Sequence, residues 1–538
     1  MEKSFIFKKL DFVLKKKENQ LSFKQKIISK KIDKLSALSG KVKLIKANYN
    51  IINFFIIIIL ISNVYEYLLL NDSYITFKII SQYDYIKLFF PFDKNPACKN
   101  LTLPDIIEVD GINYTNITFN YTINNITKKE VKLIWNNNKP KSTECLFEYC
   151  TYITEIDLSN FDTSEVTSMY RMFSRCQSLT YLNLTNLNTL NVEKMDQLFM
   201  ACRNLKSLDV SSFDTSNTKS MYYMFASCQK LITLNLSNFD TSKVTKMYSM
   251  FEGCSSLKNL DISNFNTSNV NAMDLMFHKC YSLVSLNLSN FDTSQVTNIS
   301  SMFSGCSNIK SLNLSNFNTQ NVQSMSYLFS NCKSLSNLDI SNFNTKNVEK
   351  MEYMFNNCSN LTSLNLFHFD TSKVTNMDKM FFNCSSLIYL NISNFNALEV
   401  ITMNSIFADC YLMTKLDLTN LNTSKVKDMG GMFSNCYSLN SLDLTSFDTS
   451  EVIIMDNMFE NCSNLSILNL SNFNIDKVNS MKGIFYNCLN LIFINLKAAK
   501  INSDVDTQDI FAFTNNNDGT YTIKNITTGN TGKATKMK

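Results

Sequence analysis

The side chains of this chain that could do chemistry are mainly its 16 cysteines, because a thiolate can be a nucleophile, a metal ligand or half of a disulfide. Fourteen of them recur every 26 residues, from Cys150 to Cys488. Each unit has one such cysteine and no local partner of the C-x-x-C kind. We therefore expect these cysteines to fill a core column as small apolar residues. Disulfides between neighbouring units and metal ligation are the alternatives.

Cys98 and Cys145 lie outside this regular series. They belong to a flank that we expect to be exported, where conditions are oxidising. A disulfide between Cys98 and Cys145 is therefore a candidate, with two free thiols as the alternative.

Other residues that could carry catalysis are few. His278 and His368 are 90 residues apart, so they fall in distant units and cannot share one site. The chain has no glycine-rich phosphate loop, no H-E-x-x-H and no G-x-S-x-G. We therefore expect no catalytic residue, no cofactor and no metal centre, and we interpret the protein as one that is not an enzyme.

One column of oxygen-bearing side chains could bind calcium, which prefers oxygen ligands. Its members include Asn235, Asp261, Asn287, Asn313 and Asp339. Most members are neutral amides. The sequence therefore favours a hydrated polar ladder, with calcium binding as the alternative.

The repeat determines which elements position these residues. In the unit that begins at Cys254, the residues Leu257, Leu260 and Ile262 follow the L-x-x-L-x-L pattern of a leucine-rich-repeat strand. Apolar and polar residues alternate here, which predicts a strand with one buried face. Self-similarity at this period is typical of a solenoid.

The rest of each unit predicts a turn and a short helix. The letters NFNTSN indicate a turn, because Asn, Ser and Thr side chains bond their own backbone. Val270, Met273, Met276 and Phe277 then follow at offsets of 0, 3, 6 and 7, which is one face of a short helix. Glycine or asparagine often precedes the cysteine, as at Gly253, and these residues tolerate the left-handed conformation that ends helices.

We therefore predict an α/β fold, a leucine-rich-repeat solenoid with a parallel β-sheet on its open face and short helical turns on the other. The solenoid should span 150–513 in fourteen 26-residue units, with Phe303 in a continuous phenylalanine column. A small β-rich cap at 71–149, in which Asp110-Gly111 marks a hairpin turn, should precede it. Residues 514–538 form a tail.

The pattern FxxCxxLxxLxLSxFxTxxVxxMxxMF resembles the repeat of BspA-like leucine-rich-repeat surface proteins of bacteria and protists. In this chain it reads Phe251, Cys254, Leu257, Leu260, Ile262, Phe265, Val270, Met273, Met276 and Phe277. The resemblance covers residues 150–513. It implies a secreted or membrane-anchored protein, and several members of that family are linked to adhesion to host proteins or other cells.

The N-terminal part predicts a membrane anchor. Residues 1–48 contain fourteen lysines and four acids, whereas Phe54–Ile61 is an unbroken apolar run inside the apolar segment 49–70. That segment is near the length of a membrane-spanning helix, and the positive-inside rule places the basic segment in the cytosol. We predict a single-pass signal anchor in the plasma membrane with an extracellular solenoid. A buried core helix and a cleaved signal peptide are the alternatives, and nucleic-acid binding by the basic segment is not expected.

The predicted cap also contains N-glycosylation sequons. They begin at Asn100, Asn113, Asn116, Asn120 and Asn125. In a chain rich in asparagine and threonine, such triplets also arise from composition alone, so each is a candidate only.

A ligand-binding patch is predicted where the polar strand positions depart from the repeat. These positions lie five, seven and nine residues after each cysteine. Phe367 and His368 replace the usual serine and asparagine, and Tyr389 and Lys415 occupy the fifth position of the next two units. Exposed aromatic residues beside a cation are typical of an interaction hot spot. We expect binding of extracellular proteins or glycans, on a host or neighbouring cell, in adhesion or recognition. A structural surface coat without a specific ligand is the alternative.

The predicted topology can be tested with protease added to intact cells. Because lysines crowd the N-terminal side of segment 49–70, an epitope at residue 2 should survive, whereas epitopes after residue 150 should be lost. Immunoblotting of both epitopes reads the result, and the reverse pattern would exclude this orientation.

Overall fold

The computed structural model describes residues 73–80, 86–87, 98, 100–118, 121–124, 130–136, 139–491, 493–495 and 505–510. The predicted basic segment 1–48, the predicted membrane segment 49–70 and the tail 514–538 lie outside these ranges. Within the ranges just given there is no α-helix, and so none that could cross a membrane.

The described residues form strands that are mostly two or three residues long. The strands are β1 (Ser73–Ile79), β2 (Ile86–Lys87), β3 (Ile106–Val109), β4 (Ile112–Tyr114), β5 (Thr122–Ile123), β6 (Glu130–Trp135), β7 (Ile153–Asp157), β8 (Tyr181–Asn183), β9 (Ser207–Leu208), β10 (Thr233–Leu234), β11 (Asn259–Leu260), β12 (Ser285–Leu286), β13 (Ser311–Asn313), β14 (Asn337–Asp339), β15 (Ser363–Asn365), β16 (Tyr389–Asn391), β17 (Ile467–Asn469) and β18 (Phe493–Asn495).

A small N-terminal sheet closes the first coil of the solenoid. Its strand order is β4-β3-β6-β1-β7-β8. Strand β1 lies between the cap and the solenoid, because Phe77 pairs antiparallel with Val131 of β6 and with Ile156 of β7. The predicted hairpin turn is also present, with positive φ at Asp110 and Gly111 between β3 and β4.

The solenoid coils stack in parallel along two lines. On the strand line, β9 pairs with β10, β11 with β12, β13 with β14, β15 with β16 and β17 with β18, all in parallel and 26 residues apart in the sequence. On the second line, single parallel bridges join equivalent residues of successive coils from Ser142 to Asp506. The predicted solenoid with parallel strands is therefore confirmed.

The predicted short helices are wrong, and the fold is a β-solenoid rather than α/β. Where a helix was expected, Met276 donates its N–H to the Met273 carbonyl (3.3 Å) and Cys280 to that of Phe277 (3.1 Å), which makes consecutive tight turns. Between them, Leu275 and Phe277 donate to Ser300 and Met302 of the next coil, at 2.9 Å each. In an α-helix, all of these N–H groups would bond to carbonyls of the same helix, and none would bond to the next coil.

Two left-handed residues in each coil shape these turns. One stands just before the cysteine, as at Lys279 (φ 59°), and the other five residues before it, as at Leu275 (φ 58°). The glycines and asparagines at the first position predict its left-handed conformation. The left-handed conformation at the second position was not predicted. Glycine or asparagine at Gly431 and Asn457 marks the second position in the sequence, although most coils place other residues there.

A buried threonine joins each turn to the next coil. The Thr267 hydroxyl accepts a hydrogen bond from the Asp292 N–H (2.8 Å) and donates one to the Asp292 carbonyl (2.9 Å). The same pair of hydrogen bonds recurs in most coils. Where Ala397 replaces the threonine, the N–H of Asn422 instead donates to the carbonyl of Asn420 (3.1 Å) within its own turn.

The core is a bundle of single-residue columns that run along the solenoid axis. The leucine, valine, methionine, phenylalanine and cysteine positions of the repeat are buried in nearly every coil, and Leu338 and Leu442 are partly buried. The predicted phenylalanine column is confirmed, since Phe303 stacks between Phe277 and Phe329 at ring-centroid distances of 5.9 Å. Such a column couples each coil mainly to its two neighbours.

Replacing Phe303 with alanine should therefore cause local damage. The variant loses a fully buried ring and two ring stacks, so the affected coils should lose about 3–5 kcal/mol of stability. Hydrogen exchange should report faster opening near Phe277 and Phe329 and unchanged rates many coils away. Wild-type exchange in the neighbouring coils would contradict this account.

Candidate binding face

The polar strand positions have local roles in the fold. Seven residues after Cys254, Asp261 Oδ1 accepts hydrogen bonds from the Ser263 N–H (3.0 Å) and hydroxyl (2.7 Å). The Ser263 hydroxyl lowers the pKa of the Asp261 carboxyl. Asn313 accepts from the Ser315 N–H in the same way (3.2 Å). This column, which was considered for calcium, therefore holds the turn that ends each strand.

The proposed patch residues occupy two places on this face. Tyr389, 55% exposed, pairs in register with Ser363 between β15 and β16, and exposed Lys415 has the same unit position one coil further. Phe367, 56% exposed, lies in the turn after β15, where its N–H donates to Asn365 Oδ1 (3.1 Å). Equal unit positions on adjacent coils put Tyr389 next to Lys415, whereas Phe367 lies in the coil before Tyr389, two residues beyond the end of β15.

His368 has a structural partner. Its Nε2 donates to the Ile340 carbonyl (2.9 Å) of the preceding coil, and its half-buried ring packs edge-on against Phe369. In other coils an asparagine makes this contact, as Asn342 Nδ2 does with the Leu314 carbonyl (3.0 Å). His368 therefore replaces an asparagine in the fold, and the exposed side chain at this turn is that of Phe367.

Ile388 was missed by sequence reasoning. It is 54% exposed and directly precedes Tyr389. The sequence signal was present, because this unit position carries Thr362 and Thr414 in the two flanking coils. Together Ile388 and Tyr389 form an exposed apolar pair at two consecutive positions of one coil.

The cysteine column is buried and its thiols are free. From Cys176 to Cys488, each thiol donates to a phenylalanine carbonyl of the preceding coil, as Cys332 Sγ does to the Phe303 carbonyl (3.1 Å). Burial raises the pKa of the Cys332 thiol to about 12. The predicted core role is confirmed, and these thiols are poor nucleophiles because they stay protonated.

Cys98 and Cys145 are joined by a disulfide, with their Cα atoms 5.8 Å apart. Within the described part of the chain, the one group with a metal-ligand arrangement is Cys98, Cys145 and Glu148, and its two cysteines are bonded to each other. Glu148 also pairs with Arg171 (3.2 Å).

Three of the glycosylation candidates can be located. Asn100, Asn113 and Asn116 are exposed. Asn120 and Asn125 lie outside the described residues. Exposure is compatible with modification, which stays a prediction.

The opposite side of the coils has a shallow polar depression, where Gly430 and Gly431 lack side chains. Its carboxylates already have partners: Asp428 accepts from the Gly430 N–H (2.8 Å), and Asp456 from the Lys482 N–H (2.8 Å). We assign no ligand to it.

Coils of 26 residues, most of them with a short parallel strand on an L-x-x-L-x-L motif, define a β-solenoid of the leucine-rich-repeat type. A family model described as "Mycoplasma protein of unknown function, DUF285" matches residues 115–233, 141–260, 228–323, 276–384, 303–416, 357–464 and 411–525. These matches span most of the chain, which therefore belongs to this family. No curated protein matches it.

Two solved structures are similar over part of their length. The functional domain of InlJ from Listeria monocytogenes, described as including a cysteine ladder, is 15% identical over 60% of this chain and 68% of that one, with a TM-score of 0.16. The TLR13–ssRNA13 complex is 14% identical over 65% and 72%, with a TM-score of 0.12. At these scores neither carries an argument about this protein.

The protected thiols give a testable prediction. In the native chain at pH 8, iodoacetamide should leave all fourteen column cysteines unmodified, whereas in urea it should alkylate all of them, as counted by mass spectrometry. Between pH 9 and pH 12 the unfolded chain loses thiol protons that the folded chain retains. Stability should therefore fall as pH rises, by about 1.4 kcal/mol per pH unit for each such thiol.

A variant separates this effect from tyrosine ionisation, which occurs in the same pH range. Cys332→Ala should be less stable than the parent at pH 8, and its stability should fall less steeply above pH 9. Rapid alkylation of the native chain at pH 8 would show that the column is accessible.

Proposed function

We propose that this protein is a membrane-anchored cell-surface protein that binds other proteins or glycans in adhesion or recognition. The observation that carries the proposal is a group of apolar side chains in two adjacent coils, Phe367, Ile388 and Tyr389, each more than half exposed and followed by Lys415 in the next coil. Water-exposed apolar and aromatic side chains are disfavoured without a partner, and they are the usual anchors of protein interfaces.

The shape of the described surface supports a macromolecular partner. Its depressions are shallow and polar, whereas small-molecule sites are concave and mostly apolar. A long stacked sheet instead presents an extended surface of the kind that solenoids use for binding. Binding rather than catalysis is therefore the proposed activity.

Surface location is part of the same proposal. The resemblance to BspA-like surface proteins, the apolar segment 49–70 after a basic segment and the Cys98–Cys145 disulfide each support export of the solenoid. A structural coat is the second candidate, because exposed Tyr181 and Ile467 show that departures from the repeat also occur far from Tyr389.

The decisive experiment begins with a binding screen of the full chain against extracellular proteins and glycans. The affinity of the best binder is then measured for the parent chain and for the triple variant Phe367→Ser, Tyr389→Ser and Lys415→Ser. These changes restore small polar residues on the face and should not disturb the fold. Because anchor residues carry most of the energy of an interface, binding should weaken by about tenfold or more.

A matched variant controls for general surface changes. Tyr181→Ser, Ile467→Ser and Lys346→Ser remove two exposed apolar residues and one lysine elsewhere on the solenoid, and this variant should bind like the parent. Equal binding by both triple variants would remove the patch from consideration, and a screen without any binder would favour the coat.

A further inference from the structure

A strip of cations lies on the strand side of six consecutive coils, five of which contribute a member. Its members are Arg203, Lys206, Lys230, Lys258, Lys310 and Lys333, here called the lysine strip. All six are exposed. In these coils, the five positions that follow the cysteine contain no Asp or Glu. The strip itself therefore has one sign of charge, although residues 49–538 as a whole carry 37 basic and 42 acidic side chains. The exposed carboxylates of Asp209, Asp261 and Asp339 lie three or more residues further along the same coils.

The cations of the strip are unpaired in the described part of the chain. The ion pairs of the solenoid lie on other columns, where a lysine faces an acid of the adjacent coil, as in Lys219–Glu193 (2.8 Å) and Lys425–Glu399 (2.7 Å). An acid one coil away can therefore pair with a lysine in this solenoid, but the strip has no such acid. Clustered like charges repel each other and attract a ligand of opposite sign.

The central lysines of the strip are evenly spaced. Lys206, Lys258 and Lys310 occupy the same unit position in every second coil, four residues after the cysteine. The intervening coils carry Ile232 and Val284 there, which are 47% and 50% exposed. Backbone bonds fix this order, since Ile232 donates its N–H to the Lys206 carbonyl (3.2 Å) and Val284 to that of Lys258 (3.2 Å). Because paired strands lie about 4.8 Å apart, successive lysines are about 10 Å apart.

We propose that the lysine strip binds an acidic polysaccharide that lies along the solenoid axis. An evenly spaced row of cations fits a linear polymer whose anionic groups recur at constant intervals, whereas a folded protein seldom presents charges in a straight periodic row. The aliphatic residues between the lysines can contact the apolar faces of sugar rings. Single-stranded nucleic acid is a poorer fit, because it needs successive aromatic platforms and the strip region has one exposed ring, Tyr281.

This inference rests on the proposed surface location, but it concerns a different site from the Ile388–Tyr389 patch. The strip lies in the units from Cys202 to Cys332, and the patch begins in the following unit. A failure of one site therefore leaves the other testable. Loss of polysaccharide binding with intact protein adhesion, or the reverse, would separate the two.

The test uses the full chain and heparin as the probe. Lysines are acetylated with a limiting reagent, with and without heparin, and the modification of each lysine is read by mass spectrometry. Lys206, Lys258 and Lys310 should be protected, whereas the exposed lysines Lys243 and Lys346 of the same solenoid should not. Because the modification of each lysine is measured separately, protection of the strip can be distinguished from protection of the basic segment 1–48.

Binding affinity gives a second readout. The triple variant Lys206→Gln, Lys258→Gln and Lys310→Gln should bind heparin to the solenoid about tenfold more weakly, as expected for three exposed charge pairs. The triple variant Lys243→Gln, Lys346→Gln and Lys373→Gln removes the same charge elsewhere and should leave the strip's protection unchanged. Protection should also decrease with added salt.

Three results would overturn the proposal. One is equal protection of strip and control lysines by heparin. Another is equal protection of the strip by single-stranded DNA of similar charge, which would indicate a general polyanion site. The third is stronger protection by vesicles containing anionic lipid than by heparin, which would make the strip a membrane contact.

Discussion

Backbone hydrogen bonding between stacked coils is the constraint on which the rest of this structure depends. Half of the N–H groups in the turn segment, such as those of Leu275 and Phe277, donate to the coil that follows. Each coil must therefore place its donors opposite the acceptors of its neighbour, and coils of equal length do so without any looped-out residue. The unbroken 26-residue spacing of the cysteines meets that requirement.

The choice of side chains follows from this stacking. At the cysteine position, the Phe225 carbonyl already accepts from the Cys228 N–H (3.2 Å), and the Cys254 thiol approaches the same oxygen from the next coil (3.2 Å). A thiol is small and apolar enough for the core and still a weak hydrogen-bond donor. A methyl group would leave a void, whereas a larger side chain would separate the coils. Packing thus explains the constant spacing of the cysteines without any reactive role for their thiols.

The repeat made the solenoid, its parallel strands and its buried columns predictable, because apolar periodicity reports which side chains face inward. It did not predict the turns correctly, because offsets of 0, 3, 6 and 7 fit both a short helix and consecutive turns whose donors bond the next coil. The candidate site was only partly predictable. Sequence showed that Phe367 and His368 depart from the repeat, but only the hydrogen bond from His368 to Ile340 shows which of the two replaces a structural asparagine.

Equal coils also determine how such a protein can change in evolution. Duplication or deletion of one whole unit leaves every donor opposite an acceptor, whereas an insertion inside the bonded turn segment would displace the donors of that coil from their acceptors. The length of the solenoid can therefore increase or decrease in steps of one coil, about 4.8 Å, without a change of fold. Features with a period of two coils, such as Lys206 and Lys258, would keep their spacing only when units are gained or lost in pairs.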